Sequence, residues 1–162
     1  MRTLRAAASF FDARIAALLL TLSGCGPRDH LEPPILHLGE DVCSHCSMII
    51  SEARFAAANV VTNAGGSPEP GLFDDAACLV AAEEQSPQKD VAARWVADSQ
   101  GWMDAASAYF VKSPEIRSPM GGGALAARTQ AEAHALGEKT HGTILRFDEL
   151  RLELRKGQSH GS

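Results

Sequence analysis

The sequence predicts an α+β protein in which two small, homologous units of ββαβ type pack together behind a signal peptide and a tether. One observation is that a succession of strand, strand, helix and strand occurs twice along the chain. Another is size: the chain has 162 residues, 45% of them hydrophobic, so it can build one ordinary domain. Neither half alone could bury much apolar surface. We therefore expect the units, residues 41–89 and 90–154, to share contacts.

The N-terminus has the features of a bacterial export signal. Three basic residues precede an apolar run over residues 15–22, which is far shorter than the roughly 20 residues that a membrane-spanning helix needs. Leu22-Ser-Gly-Cys25 follows at once and resembles the lipobox, where cleavage exposes a cysteine that carries diacylglycerol. We expect a lipoprotein signal peptide over residues 1–24 and lipidation of Cys25. The basic residues are Arg2, Arg5 and Arg14.

Cleavage before Cys25 would leave 162 − 24 = 138 residues, held to a membrane by several acyl chains. Prolines and few apolar residues mark residues 25–40 as a tether between lipid and body. The sequence thus predicts a cell-envelope protein facing the periplasm. By resemblance to enterobacterial sorting signals, Gly26 in place of an aspartate favours the outer membrane.

The first unit is predicted to begin with a cysteine cluster and a strand over residues 55–62. A turn-rich stretch over residues 63–71 contains two prolines and a Gly-Gly pair. Phe73-Asp-Asp75 then opens a helix over residues 76–84, because aspartate is a favoured N-cap.

The second unit is predicted from its own strand and helix patterns. Its loop over residues 113–123 contains two prolines and three consecutive glycines. Spaced alanines favour a helix after this loop. The polar tail, residues 155–162, is expected to fray. The predicted elements are strands at 93–98 and 108–112, a helix at 124–136, a strand at 141–147, and a short helix or strand at 148–154.

Composition excludes a nucleic-acid partner. The formal net charge is −5, and no block of Lys and Arg follows residue 24, so a clustered positive face for phosphates is missing. With one Tyr and two Trp, the chain also offers no platform for stacking bases.

The chemistry of the sequence is concentrated in Cys43-Ser-His-Cys46-Ser-Met48. A Cys-x-x-Cys loop brings two thiolates close enough to share one ion or to form a disulfide. Thiolate together with thioether is a soft ligand set, which selects Cu(I) over zinc, magnesium or calcium. Because thiolates bind metal only without their protons, uptake should weaken as pH falls. The cluster is therefore a candidate Cu(I) site.

Two other interpretations stay open from these residues alone. Cys43 and Cys46 could be a redox-active dithiol in a thiol–disulfide oxidoreductase, although such motifs usually open a helix and this one precedes a β-like segment. They could instead form a structural disulfide or a closed zinc site, which would need two further ligands.

Met120 is a second candidate ligand, since it lies in a tight loop between Pro119 and glycines and so is poorly placed for core packing. His45 and His141 are weaker candidates. Cys78 fits either a core position on a helix or a fourth soft ligand. No spacing typical of a catalytic triad or of a phosphate-binding loop is present.

Several of these motifs occur together in the order known from one family. They are the lipobox cysteine, the Cys43 to Met48 cluster, Phe73-Asp-Asp75, Pro119-Met-Gly121, His141-Gly142 and Phe147-Asp-Glu-Leu150. In this combination, the sequence resembles NosL, the accessory lipoproteins of nitrous oxide reductase. The resemblance covers nearly the whole mature chain. Ser47 departs from the family pattern, which has glycine before the methionine.

The resemblance implies a non-enzymatic copper chaperone with two homologous ββαβ units. It implies Cu(I) as the metal, bound by Cys43, Cys46, Met48 and Met120, and delivery toward the copper centres of nitrous oxide reductase. An ABC-type membrane assembly complex is the implied docking partner. The role of Cys78 stays open.

Overall fold

The computed structural model describes residues 31–62 and 66–158, which form two antiparallel sheets and three α-helices. This confirms the predicted α+β class. The predicted signal peptide and Cys25 lie outside the described residues. Within the described ranges, no helix combines the length and hydropathy required to cross a bilayer.

The first sheet has four strands in the order β2-β1-β3-β4, and every pair is antiparallel. A 3₁₀ turn, Ala53–Phe55, leads into it. The helix α1 connects β2 to β3. The bounds are β1 Ala57–Thr62, β2 Pro68–Phe73, α1 Ala76–Gln85, β3 Asp90–Asp98 and β4 Gly101–Asp104.

The second sheet has three strands in the order β6-β5-β7, again antiparallel. The strand that comes first in the sequence, β5, is central. The next strand, β6, lies on one side of it, and β7, which follows the helix α2, lies on the other. The first sheet places β1, β2 and β3 in the same way, so the ββαβ pattern occurs twice. The bounds are β5 Tyr109–Lys112, β6 Ala124–Ala127, α2 Gln130–Thr140, β7 Thr143–Leu145 and α3 Phe147–Gln158.

One hydrophobic core joins both sheets. Leu79 on α1, Phe110 on β5 and Leu150 on α3 are all fully buried in it. Burial of such side chains stabilises a fold by about 1.5–3 kcal/mol each. Cys43 and Cys78 belong to the same core, so the packing of the core fixes the positions of these two cysteines.

The structure and the sequence prediction assign residues 93–98 to different sheets. This strand, β3, pairs with β1 along its length, for example Ala57 opposite Val96, and so belongs to the first sheet. The predicted second unit, in contrast, begins at this strand. The turn-rich stretch also contains a strand, β2, whose Pro68 and Pro70 are accommodated because β2 lies at a sheet edge.

The predicted helix at residues 124–136 is wrong at its start. Residues 124–127 are β6, which pairs with β5, and α2 begins only at Gln130. A capping box sets this start: the Thr129 side chain accepts from the Glu132 N–H, and the Glu132 carboxylate accepts from the Thr129 N–H. Alanine spacing alone could not separate the two conformations.

The ends of the body are more ordered than predicted. The helix α3 continues through the first residues of the expected tail, to Gln158. Residues 31–40 contain no helix or strand, as a tether would, but Leu36 packs against the main core.

Candidate metal centre

Three sulfur atoms lie together at the edge of the main core. The Sγ atoms of Cys43, Cys46 and Cys78 are all within 4.8 Å of one another, and the three thiols are free. A metal–thiolate bond is about 2.3 Å long, so three sulfurs around one ion lie about 4 Å apart. The cluster therefore has the spacing of a three-thiolate metal site. Cys43 and Cys78 are buried, whereas Cys46 is partly exposed and opens the cluster to solvent.

A short hairpin-like loop presents the first two thiols. An isolated bridge joins Val42 and Ile49, and the Cys43 N–H donates to the Met48 carbonyl at 2.8 Å. The Ser47 N–H donates to the Cys43 carbonyl at 2.9 Å, which closes the turn around Cys46. The backbone of this loop is thus fixed by its own hydrogen bonds.

Ser47 adopts a left-handed conformation in this loop, with φ of +62°. Glycine adopts this conformation without strain, so the loop is compatible with the glycine that the family pattern has at this position. A non-glycine residue in this conformation costs roughly 1–2 kcal/mol. We expect Ser47→Gly to raise the free energy of unfolding by about 1 kcal/mol, measured by urea denaturation.

The matched control is Ser99→Gly, in an exposed turn where serine does not have a positive φ. It should lower the free energy of unfolding, because glycine loses more backbone entropy on folding. A destabilised Ser47→Gly variant would contradict the assignment of strain to Ser47.

The third thiol comes from the first turn of α1. Asp75 is the N-cap of this helix, and its Oδ1 accepts from the Cys78 N–H at 3.0 Å. Cys78 is thereby held at the positive end of the helix, which favours anionic sulfur nearby. The predicted helix and its aspartate cap are confirmed.

A hydrogen bond between two of the thiols favours the thiolate form within the cluster. Hydrogen bonding from the Cys78 thiol is the main cause that lowers the pKa of Cys43 to about 4, assisted by the backbone N–H groups of Cys46, Asp74 and His45, while burial opposes it. The same bond to Cys43, together with burial, raises the pKa of Cys78. The hydrogen bond therefore favours one thiolate in the Cys43–Cys78 pair, and the proton that remains in the pair is the one that an incoming metal must displace.

The Cys43 thiolate should be visible in an acid titration. In a Cys25→Ser, Cys46→Ser background, thiolate absorbance should disappear as pH falls through about 4. Cys78→Ala should move the midpoint upward, because it removes the main donor. A midpoint near 9, the ordinary thiol value, in the presence of Cys78 would contradict the hydrogen bond.

The same shift makes stability depend on pH. Because the folded pKa of Cys43 lies below its unfolded value, the folded state binds fewer protons than the unfolded chain between pH of about 4 and 9. This contribution to stability is complete above the unfolded pKa and is lost as pH falls through about 4.

Asp74 lies beside the cluster in an unfavourable position for a charge. It is buried, and its Oδ1 is without a hydrogen-bond partner among the described residues. Burial is the main cause that raises the pKa of this carboxyl, and the nearby charges of Asp75 and Cys43 add to it. Of the two aspartates at the predicted start of the helix, only Asp75 caps it.

The two predicted methionine ligands occupy more exposed positions than the thiols. Met48 is 53% exposed and Met120 is 39% exposed. The Met120 N–H donates to Asp75 Oδ2 at 3.3 Å, so its loop contacts the residue that caps the Cys78 helix. That Met48 and Met120 bind metal stays a prediction. The structure does bring the sulfur atoms of Cys43 and Cys46 together, and it adds that of Cys78.

Histidines and carboxylates do not enlarge the sulfur cluster. Across residues 31–62 and 66–158, the group close enough to share an ion consists of the three cysteines alone. A closed structural zinc site usually has four protein ligands. His141, expected to begin a strand, is instead the left-handed C-cap of α2 and is exposed. The site is thus suited to a soft metal of low coordination number.

Comparison with known proteins decides the family. Residues 34–154 match the family described as NosL, which is about three quarters of the sequence. The chain belongs to the NosL family. A crystal structure described as the copper chaperone NosL from Shewanella denitrificans has the same fold, with a TM-score of 0.59 and 19% sequence identity. The match covers 74% of this chain and 96% of that one. A search of curated protein sequences returned no match.

Membership in the NosL family confirms the prediction that the chain is not an enzyme. The position of the cysteines agrees, because Cys43 and Cys46 lie in a loop ahead of β1 and do not open a helix.

Proposed function

We propose that this NosL protein binds Cu(I) through Cys43, Cys46 and Cys78 and delivers it for the copper centres of nitrous oxide reductase. The observation that carries the proposal is the three-thiol cluster, whose soft donors suit monovalent copper. Met48 and Met120 are proposed as thioether ligands on the exposed side that exchange with Cys46, so that Cu(I) does not hold all five sulfurs at once.

Delivery would proceed by ligand exchange. Three-coordinate Cu(I) can accept a donor from a partner before one of its own sulfurs leaves. Cys46 is the natural first sulfur to leave, because it is more exposed than Cys43 and Cys78. The buried pair then follows as the acceptor's ligands take over the ion.

The proposed setting is the periplasmic face of the cell envelope, with lipid on Cys25 as the anchor and the outer membrane as the favoured location. The export signal and lipobox support this location. The proposed partners are nitrous oxide reductase and an ABC-type membrane assembly complex, as the family resemblance implies.

A transfer assay tests the proposal. The Cu(I)-loaded chain is incubated anaerobically with copper-free nitrous oxide reductase and membranes containing the assembly complex, and the copper content of the reductase is measured. We expect copper to move from the loaded wild type, and to stay absent with Cys43→Ser/Cys78→Ser. Equal transfer from both proteins would contradict delivery by this site.

A further inference from the structure

Asp75 is a buried carboxylate that joins two distant segments of the chain. Its side chain belongs to a residue only 2% exposed. Its Oδ1 accepts from the Cys78 N–H at 3.0 Å. Its Oδ2 accepts from the Ser118 hydroxyl at 2.8 Å and from the Met120 N–H at 3.3 Å. The two carboxylate oxygens therefore contact different halves of the candidate site.

The turn that contains Met120 is itself rigid. The Gly121 N–H donates to the Ser118 carbonyl at 3.0 Å, which closes a β-turn with Pro119 at its second position. The Gly123 N–H donates to Ser118 Oγ at 3.0 Å. Because Ser118 and Met120 are both bonded to Asp75, the turn cannot shift relative to α1 without breaking these bonds.

Close packing reinforces the same contact. A Cβ atom on Gly122 would lie 2.8 Å from the Cβ of Ala77 and 3.3 Å from Asp75 Oδ2. Only glycine lets the loop approach this near to the first turn of α1. Ala77 directly precedes Cys78, so the loop is seated against the helical turn that presents the third thiol.

Helix capping alone does not account for these contacts. A cap needs one oxygen, which serine, threonine or asparagine could supply equally well. Burying a charge is unfavourable unless hydrogen bonds compensate it, and here the second oxygen receives both of its bonds from the Met120 loop. The two oxygens of the carboxylate thus hold the first turn of α1 and the Met120 loop at a fixed separation.

We propose that Asp75 is a positioning residue that holds Met120 beside the Cys78 turn, so that the thioether and the thiols act as one copper site. This inference rests on the proposed function. Asp75 acts through Met120 and is not assigned as a ligand.

A double-mutant cycle tests the proposal, with Cu(I) affinity measured anaerobically by competition with a chromophoric Cu(I) chelator. Asp75→Ser keeps an oxygen for the cap and loses the one that holds the loop. Met120→Leu removes the sulfur alone. Each variant should bind Cu(I) roughly 10- to 100-fold more weakly, the usual loss when a group that orients a metal ligand is removed. The double variant should bind no more weakly than Met120→Leu.

Two further variants separate positioning from folding. Ser118→Ala breaks one loop bond without touching the cap and should weaken binding only while Met120 is present. Asp104→Ser is the matched control, because Asp104 Oδ1 caps a turn with Ser107 away from the cysteines. It should leave the affinity unchanged.

The outcomes distinguish this inference from the function beneath it. If the wild type binds Cu(I) but the losses from Asp75→Ser and Met120→Leu multiply in the double variant, the positioning role is overturned. The same holds if Ser118→Ala weakens binding equally with and without Met120. A wild type that takes up no Cu(I) would overturn the proposed function, and the inference with it.

Discussion

Replacement of Cys78 by serine is expected to weaken Cu(I) binding by more than about 100-fold. Loss of a group that merely orients a ligand costs roughly 10- to 100-fold in metal affinity, and loss of a buried thiolate ligand should cost more. Serine keeps the helix position but offers a hard hydroxyl in place of a soft thiolate. The measurement is competitive titration of the reduced protein with a Cu(I) chelator.

Ala76→Ser is the matched control for this variant, since it adds a hydroxyl to the same turn of α1 and keeps all three sulfurs. Its affinity should equal that of the wild type. A Cys78→Ser variant that binds within threefold of the wild type would contradict the three-thiol site. It would favour instead the set expected from the sequence, in which Cys43, Cys46 and the two methionines suffice.

Cu(I) loading is expected to raise the melting temperature by on the order of 10 °C. All three thiols come together only in the folded chain, because Cys78 lies on α1 whereas Cys43 and Cys46 lie in the loop before β1. A ligand that binds only the folded state, at a free concentration 1,000 times its dissociation constant, stabilises that state by about 4 kcal/mol. For a domain of this size, each kcal/mol shifts the melting temperature by about 2–4 °C.

Calorimetry of the metal-free and loaded protein provides this test, with Cys43→Ser/Cys78→Ser as the variant that should show no shift. An equal rise in wild type and double variant would mean that copper binds groups outside the cluster. An unfolded metal-free wild type would favour the structural interpretation, in which the metal only pins the first unit.

Much of the fold follows from local sequence patterns. The strand over residues 57–62 was predictable from its largely apolar run, and the helix α1 was predictable from its aspartate cap. The assignment of β3 was not, because the sheet to which a strand belongs is set by pairing with β1, which is distant in sequence. The start of α2 was missed because alanine at residues 124–127 is compatible with both strand and helix.

The candidate site shows the same division between local and distant information. Cys43 and Cys46 were identified from their spacing, since two residues of separation already bring their sulfurs close. Cys78 joins them only because the core packs α1 against the loop, a contact that spans more than thirty residues. A local signal for it existed, namely its place three residues after the capping Asp75. The role of Asp75 could not be predicted from the sequence, because its contacts with the Met120 loop join residues that are more than forty positions apart.

The most direct test of the central claim is X-ray absorption at the copper edge of the Cu(I)-loaded protein. The claim is that sulfur atoms from the Cys43 loop and from α1 bind a single ion. The expected result is one copper per chain with a nearest shell of three or more sulfurs, reduced by one sulfur in Cys78→Ser. A nearest shell dominated by nitrogen or oxygen, or one that is the same in Cys78→Ser, would contradict it.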